Sequence, residues 1–172
     1  MDEDAAADPI VNRLLAFLLV AAVFAQESQR HPDAPLQPVP YSHKQHVAMG
    51  LTCKDCHAMP DPGELMGIPE AAKCMSCHRS IKTDSPAIQK LARFARERRE
   101  ILWVRVYQIP SYVDFSHKVH IEAGAGCETC HGAVAQRDQL WRETDISMAG
   151  CMNCHRQRKA SLACRACHEE LR

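Results

Sequence analysis

The motif Cys-x-x-Cys-His occurs five times in this 172-residue chain and consumes all ten of its cysteines. The thiols are Cys53 and Cys56, Cys74 and Cys77, Cys127 and Cys130, Cys151 and Cys154, and Cys164 and Cys167. The histidines that close the motifs are His57, His78, His131, His155 and His168. Two thiols on one turn of chain can add across the two vinyl groups of one porphyrin, and the following histidine then lies below the ring as proximal iron ligand. A disulfide framework gives no reason for a histidine after every second cysteine. Zinc ribbons close their ligand sets at four and do not demand five histidines at one offset. A thioredoxin-like pair needs one motif in a βαβ pattern, which is absent here. The expectation is five covalently bound c-type haems, five haem c per chain.

That load decides the fold class. The 147 residues after position 25 leave about 29 per haem, with four Phe, two Trp and three Tyr among the aromatics and ten prolines in the whole chain. A polypeptide so thinly spread builds little apolar core of its own, so the haems must supply the buried surface. The expected architecture is mainly irregular and α: a compact pentahaem unit of short helices wrapped round a haem core.

Residues 14–25, Leu-Leu-Ala-Phe-Leu-Leu-Val-Ala-Ala-Val-Phe-Ala, form an uninterrupted apolar run after Arg13, with Val23 and Ala25 small before Gln26. This reads as an export signal or N-terminal anchor over 1–25; the acidic start Asp2-Glu3-Asp4 departs from an export signal's usual n-region. Twelve residues are short for a bilayer span, which needs about 20. Export places the protein in the periplasm or on the outer face of the cytoplasmic membrane. A Pro-rich arm follows over 26–40, where mobility is the default, and the haem-bearing domain occupies 41–172. Without the first 25 residues the chain carries 20 basic and 17 acidic groups, an excess that the propionates of five haems overtake. Nucleic-acid binding has no support.

The domain is internally duplicated. Tyr41-Ser-His43-Lys-Gln-His46 precedes Cys53, and Phe115-Ser-His117-Lys-Val-His120 precedes Cys127, each first histidine ten residues ahead of the cysteine. The offset is 74 residues, and a second haem motif follows each unit, giving pseudo-repeats 41–78 and 115–155 with the fifth motif, 164–168, as an addition. Histidines three apart on one helical turn point in similar directions, so each can bring its imidazole to the distal face of a different haem. His43, His46, His117 and His120 are therefore the candidate distal ligands. Met148 or His31 is left as the fifth, methionine raising the potential of the haem it binds.

At these residues the chain resembles the class III multihaem cytochromes, the cytochrome c3 and c7 group. The resemblance implies that His43 serves the haem on Cys53 and Cys56, and His117 the haem on Cys127 and Cys130. Tetrahaem members carry another histidine directly after the first motif, where Ala58 stands here. The stretches 67–78, 101–120 and 147–155 are similar to the pentahaem subunit of alternative complex III, and the likeness spans 38–158. That likeness implies a membrane-associated position beside an iron–sulfur, quinol-oxidising subunit, with electrons leaving toward a soluble cytochrome c or an oxidase.

Between the halves, Ser85 and Pro86 signal a helix start, with Ile88, Leu91, Ala95 and Leu102 near one face and the basic residues largely elsewhere. Residues 103–107 alternate and read as a short strand. An iron with histidine on both axial positions has no place for substrate, so the chain reads as an electron carrier with no catalytic residues. The alternatives are a free cytochrome c7-like shuttle, a multihaem oxidoreductase with one open iron, and a haem-filament subunit. The enzyme reading calls for an altered motif, and all five here end in histidine.

Overall fold

The structure, a computed structural model, describes residues 30–168. The chain divides after Pro32, and the second unit, from Asp33 onward, carries every haem motif. The apolar run of residues 14–25 lies outside the described residues. Among the described residues no helix is long and apolar enough to cross a membrane.

Seven short α-helices and two 3-10 turns make up the regular structure among the described residues, without a strand. They are α1 (His43–Ala48), α2 (Cys53–Cys56), α3 (Ala71–His78), α4 (Pro86–Arg96), α5 (His117–Glu122), α6 (Cys127–His131) and α7 (Met148–Gln157), with 3-10 turns at Val134–Gln136 and Cys164–Ala166. Each haem motif lies within one of these turns or runs one or two residues past it. Serine side chains cap three of the helices. Ser42, Ser116 and Ser147 accept hydrogen bonds from the backbone N–H groups of Gln45, Val119 and Gly150. Helices of one or two turns do not persist on propensity alone, so their stability must come from what they pack against.

Little of that packing is protein. Val39, Ala71, Leu91 and Ile101 form one buried cluster, flanked by Cys74, Met75, Ile88, Phe94, Ala95 and Trp103. It joins α3 to α4 and lies wholly before the second repeat. In the second half none of α5, α6, α7 or the two 3-10 turns buries a residue.

Two sequence expectations change here. The helix begins at Pro86 after Ser85 as read, but it ends at Arg96, and Arg98 turns the chain with φ 50°. Ile101 therefore enters the core, while Leu102 stays 73% exposed. The alternating segment 103–107 is not a strand. Its backbone partner is a side chain: the Gln37 amide accepts from Val104 N–H and donates to Val104 C=O, both at 2.9 Å. With Ala34 and Val39 buried, residues 33–40 of the Pro-rich arm are packed rather than loose.

The halves interlock reciprocally. Lys118 N–H at the start of α5 donates to Gly63 C=O (2.9 Å), in the loop after the first haem motif. Lys44 N–H at the start of α1 donates to Arg137 C=O (3.0 Å), in the loop after the third. Both members of these bonds are related by the same 74-residue offset. Gly63 has φ 89°, and a Cβ there would stand 2.6 Å from Lys118 Cβ, so this approach requires glycine. On the other side Ser42 Oγ donates to Asp138 (2.6 Å), and Arg137 is itself held by Glu143 at 2.6 Å.

Candidate haem-binding sites

The four candidate distal histidines each face one motif histidine. His43 and His57 have ring centres 6.4 Å apart with planes within 6°, and His117 and His131 repeat both values. His46 stands 6.1 Å from His78, and His120 stands 6.0 Å from His155. These rings are too far apart to bond one another. An iron bonded to two imidazole nitrogens at about 2 Å each would hold the ring centres about 6.3 Å apart. The donor sets are thus pairs spaced for a metal between them, and among the described residues no cluster of three or more ligating side chains exists.

The sequence left open which haems His46 and His120 reach. The structure brings them to the second and fourth motifs, because residues three apart on α1 and α5 aim at neighbouring sites.

Backbone carbonyls hold most of these rings by Nδ1. His57 bonds Gly67 C=O at 2.8 Å, His78 bonds Ile81 C=O at 3.1 Å and His155 bonds Ser161 C=O at 2.7 Å. His46 and His120 each bond the carbonyl of the helix-capping serine four residues back, Ser42 and Ser116, at 2.7 Å. His117 reaches across the interlock to Glu64 C=O at 2.8 Å. A carbonyl at Nδ1 fixes the proton there and leaves Nε2 as the nitrogen free to bind iron. The Nδ1 of His43 is instead buried without a partner. Burial, then the neighbouring His57 and His46, pushes His43 down to about 4, so it stays neutral, the form a metal ligand needs. Burial likewise lowers His131, followed by repulsion from His117 and His57.

The aromatic residue that opens each repeat has a job the sequence reading did not assign. The Tyr41 ring stacks on His46 (4.5 Å, 20°) and meets His43 edge-on (4.7 Å, 84°). Phe115 does the same to His120 (4.6 Å, 26°) and His117 (4.8 Å, 88°). One ring thus sets the direction of both ligands, and the recurrence of an aromatic two residues before the first histidine was the available signal. Tyr107 was also missed. Its hydroxyl donates to His131 C=O (3.0 Å) and accepts from Glu143 N–H (2.9 Å), while its ring edges onto His131 at 4.8 Å.

The ten thiols lie in their motifs as free cysteines, none paired as a disulfide. The residues present therefore fit the group: thiol pairs on single turns, opposed imidazoles at iron-spanning distance, and a protein interior with almost no side chains of its own. The fifth motif is set differently. His168 Nδ1 bonds Tyr112 C=O at 3.2 Å, and the Tyr112 ring lies 6.1 Å from the imidazole. Met148 is 67% exposed at the first position of α7. His31 belongs to the unit that ends at Pro32.

Comparison with known proteins divides the chain in the same place as the duplication. Residues 20–102 match the class III cytochrome c family, and residues 113–170 match cytochrome c7 and related cytochromes c. The chain is 30% identical to the multihaem cytochrome c subunit of a menaquinone reductase from Nitratidesulfovibrio vulgaris, over 77% of each chain.

Proposed function

This chain belongs to the class III multihaem cytochromes c, the premise from which we propose that it is a five-haem electron relay in a membrane-associated, quinone-linked respiratory complex. The observation that carries the relay reading is the set of four imidazole pairs at 6.0–6.4 Å. Haem, when bound, supplies one-electron chemistry. The chain's own residues attach it through the ten motif cysteines and close the axial positions. On this reading His57, His78, His131 and His155 are proximal ligands, opposed by His43, His46, His117 and His120. His168 is the fifth proximal ligand. Its distal partner is Met148 or His31, and Met148 is favoured because it shares a helix face with Cys151, which lies beside Cys167. An iron held between two imidazoles would offer no vacancy for a substrate at these four sites, which supports electron transfer over small-molecule chemistry.

The relative's name supports a quinone-linked complex over a free shuttle. The partners are then a quinol-oxidising or quinone-reducing iron–sulfur subunit on one side and a soluble cytochrome c or oxidase on the other, in the periplasm or at the membrane's outer face. Denatured mass should show five haems per chain. His43→Ala or His117→Ala should open one iron each, giving a high-spin signal and new carbon monoxide binding, and Met148→Ala one more. Unchanged spectra in both histidine variants would end the assignment. Saturable reduction of nitrite, hydroxylamine or sulfite by the purified protein would replace the relay with an enzyme. Release of the chain from membranes without detergent or salt would favour the free shuttle.

A further inference from the structure

We infer that the five attachment sites stand in single file in the order second, first, third, fourth, fifth, so that the seam between the halves joins the first motif to the third. The inference deepens the relay reading by giving its path. Helix α1 fixes the first step, because His43 faces His57 of the first motif while His46, one turn on, faces His78 of the second. Tyr41, wedged between those two histidines, has Cys56 and Cys74 as neighbours, so these two sites adjoin on the near side of α1. Helix α5 repeats the arrangement for the third and fourth motifs through His117 and His120, and Cys130 neighbours Cys154.

The seam is fixed by the interlock. The loop after the first motif holds α5 through Gly63 and Glu64, and the loop after the third holds α1 through Arg137 and Asp138. At its centre the Cys53 and Cys127 thiols lie close to one another, and His57 and His131 are electrostatic neighbours. The second motif cannot take that place. Its helix α3 is instead packed against α4, with Cys74 and Met75 on the Leu91–Ile101 core. The fifth motif docks beyond the fourth. Asp114 N–H donates to Cys167 C=O at 2.8 Å, His168 bonds Tyr112, both in the segment leading into α5, and Cys151 neighbours Cys167. Numbering along the chain and position along the file therefore differ at one place only, the exchange of the first two. The ends of the file, where partners exchange electrons, are the Cys74/Cys77 and Cys164/Cys167 sites.

Two-dimensional NMR of the fully reduced holoprotein tests the order, each haem being assigned through the β-protons of its own cysteines. The expected result is through-space cross-peaks between the first- and third-motif haems at the Cys53 and Cys127 edges. They should also join second to first, third to fourth and fourth to fifth, and be lost between second and third. A contact between second and third, or none between first and third, overturns the order. Neither result touches the relay reading, which stands or falls on electron-transfer rate; a slow relay would leave the contact map intact.

Discussion

The two halves carry the same ligand machinery and are held together by different means. In the first, a small protein core of Val39, Ala71, Leu91 and Ile101 backs the second haem motif. In the second, no helix buries a residue, and polar links do the holding: Arg137 with Glu143, Tyr107 with His131 and Glu143, Thr144 with the Cys130 carbonyl. A duplicated cofactor site thus constrains the ligands and the turns that aim them, and leaves the scaffold free to diverge. The Nδ1 partners of the ligands differ between the halves. His117 has Glu64 C=O at Nδ1, whereas the equivalent position, Asp138, is engaged through its side chain by Ser42, and His43 has no acceptor.

The largest expected effect is loss of haem attachment. Without haem the second half should show no protected amides, while α3 and α4 keep residual protection around Leu91, because only there does apolar burial offset chain entropy. Hydrogen exchange on haem-free chain reads this, and equal protection in both halves would break the comparison. Next comes Leu91→Ala, which should cost about 2–5 kcal/mol in denaturant unfolding of the holoprotein as a buried cavity. Gly63→Ala should follow at about 1–3 kcal/mol, since it places a Cβ against Lys118 at positive φ. The equivalent change at Arg137 should cost less, because its backbone carbonyl still receives Lys44, and thermal melts of the two variants compare them directly. Ser42→Ala should lose about 1 kcal/mol and more than Ser116→Ala, because Ser42 also bonds Asp138 at 2.6 Å whereas Ser116 makes only a 3.4 Å bond to Gly63.

The motifs, the 74-residue duplication and the pairing of histidines with helical turns were legible because each rests on local spacing. The helix start at Ser85–Pro86 was legible for the same reason. Its partner face was not: the switch from Leu102 to Ile101 depends on where Arg98 turns the chain, a backbone event with no periodic signature. Residues 103–107 alternate like a strand, but no second strand exists to pair with them among the described residues, and Gln37, 67 positions away, takes the backbone instead. Tyr107 and the carbonyls of Gly67, Ile81 and Ser161 escaped notice because their roles come from tertiary position alone. A carbonyl acceptor has no residue type to read.

A chain is delivered from its N-terminus, and here that order has a cost. Helix α1 emerges early, yet the backbone group it docks on belongs to Arg137, in the middle of the second repeat. Until that residue arrives, the first site has its motif and its distal histidine but not the backbone bond that docks α1. The older half therefore waits for the younger, and completion of one closes the other in the same event. A truncated product, ending before Arg137, would leave the first site's helix undocked however well its own residues were made, so the interlock also serves as a check that only chains reaching the second repeat pass.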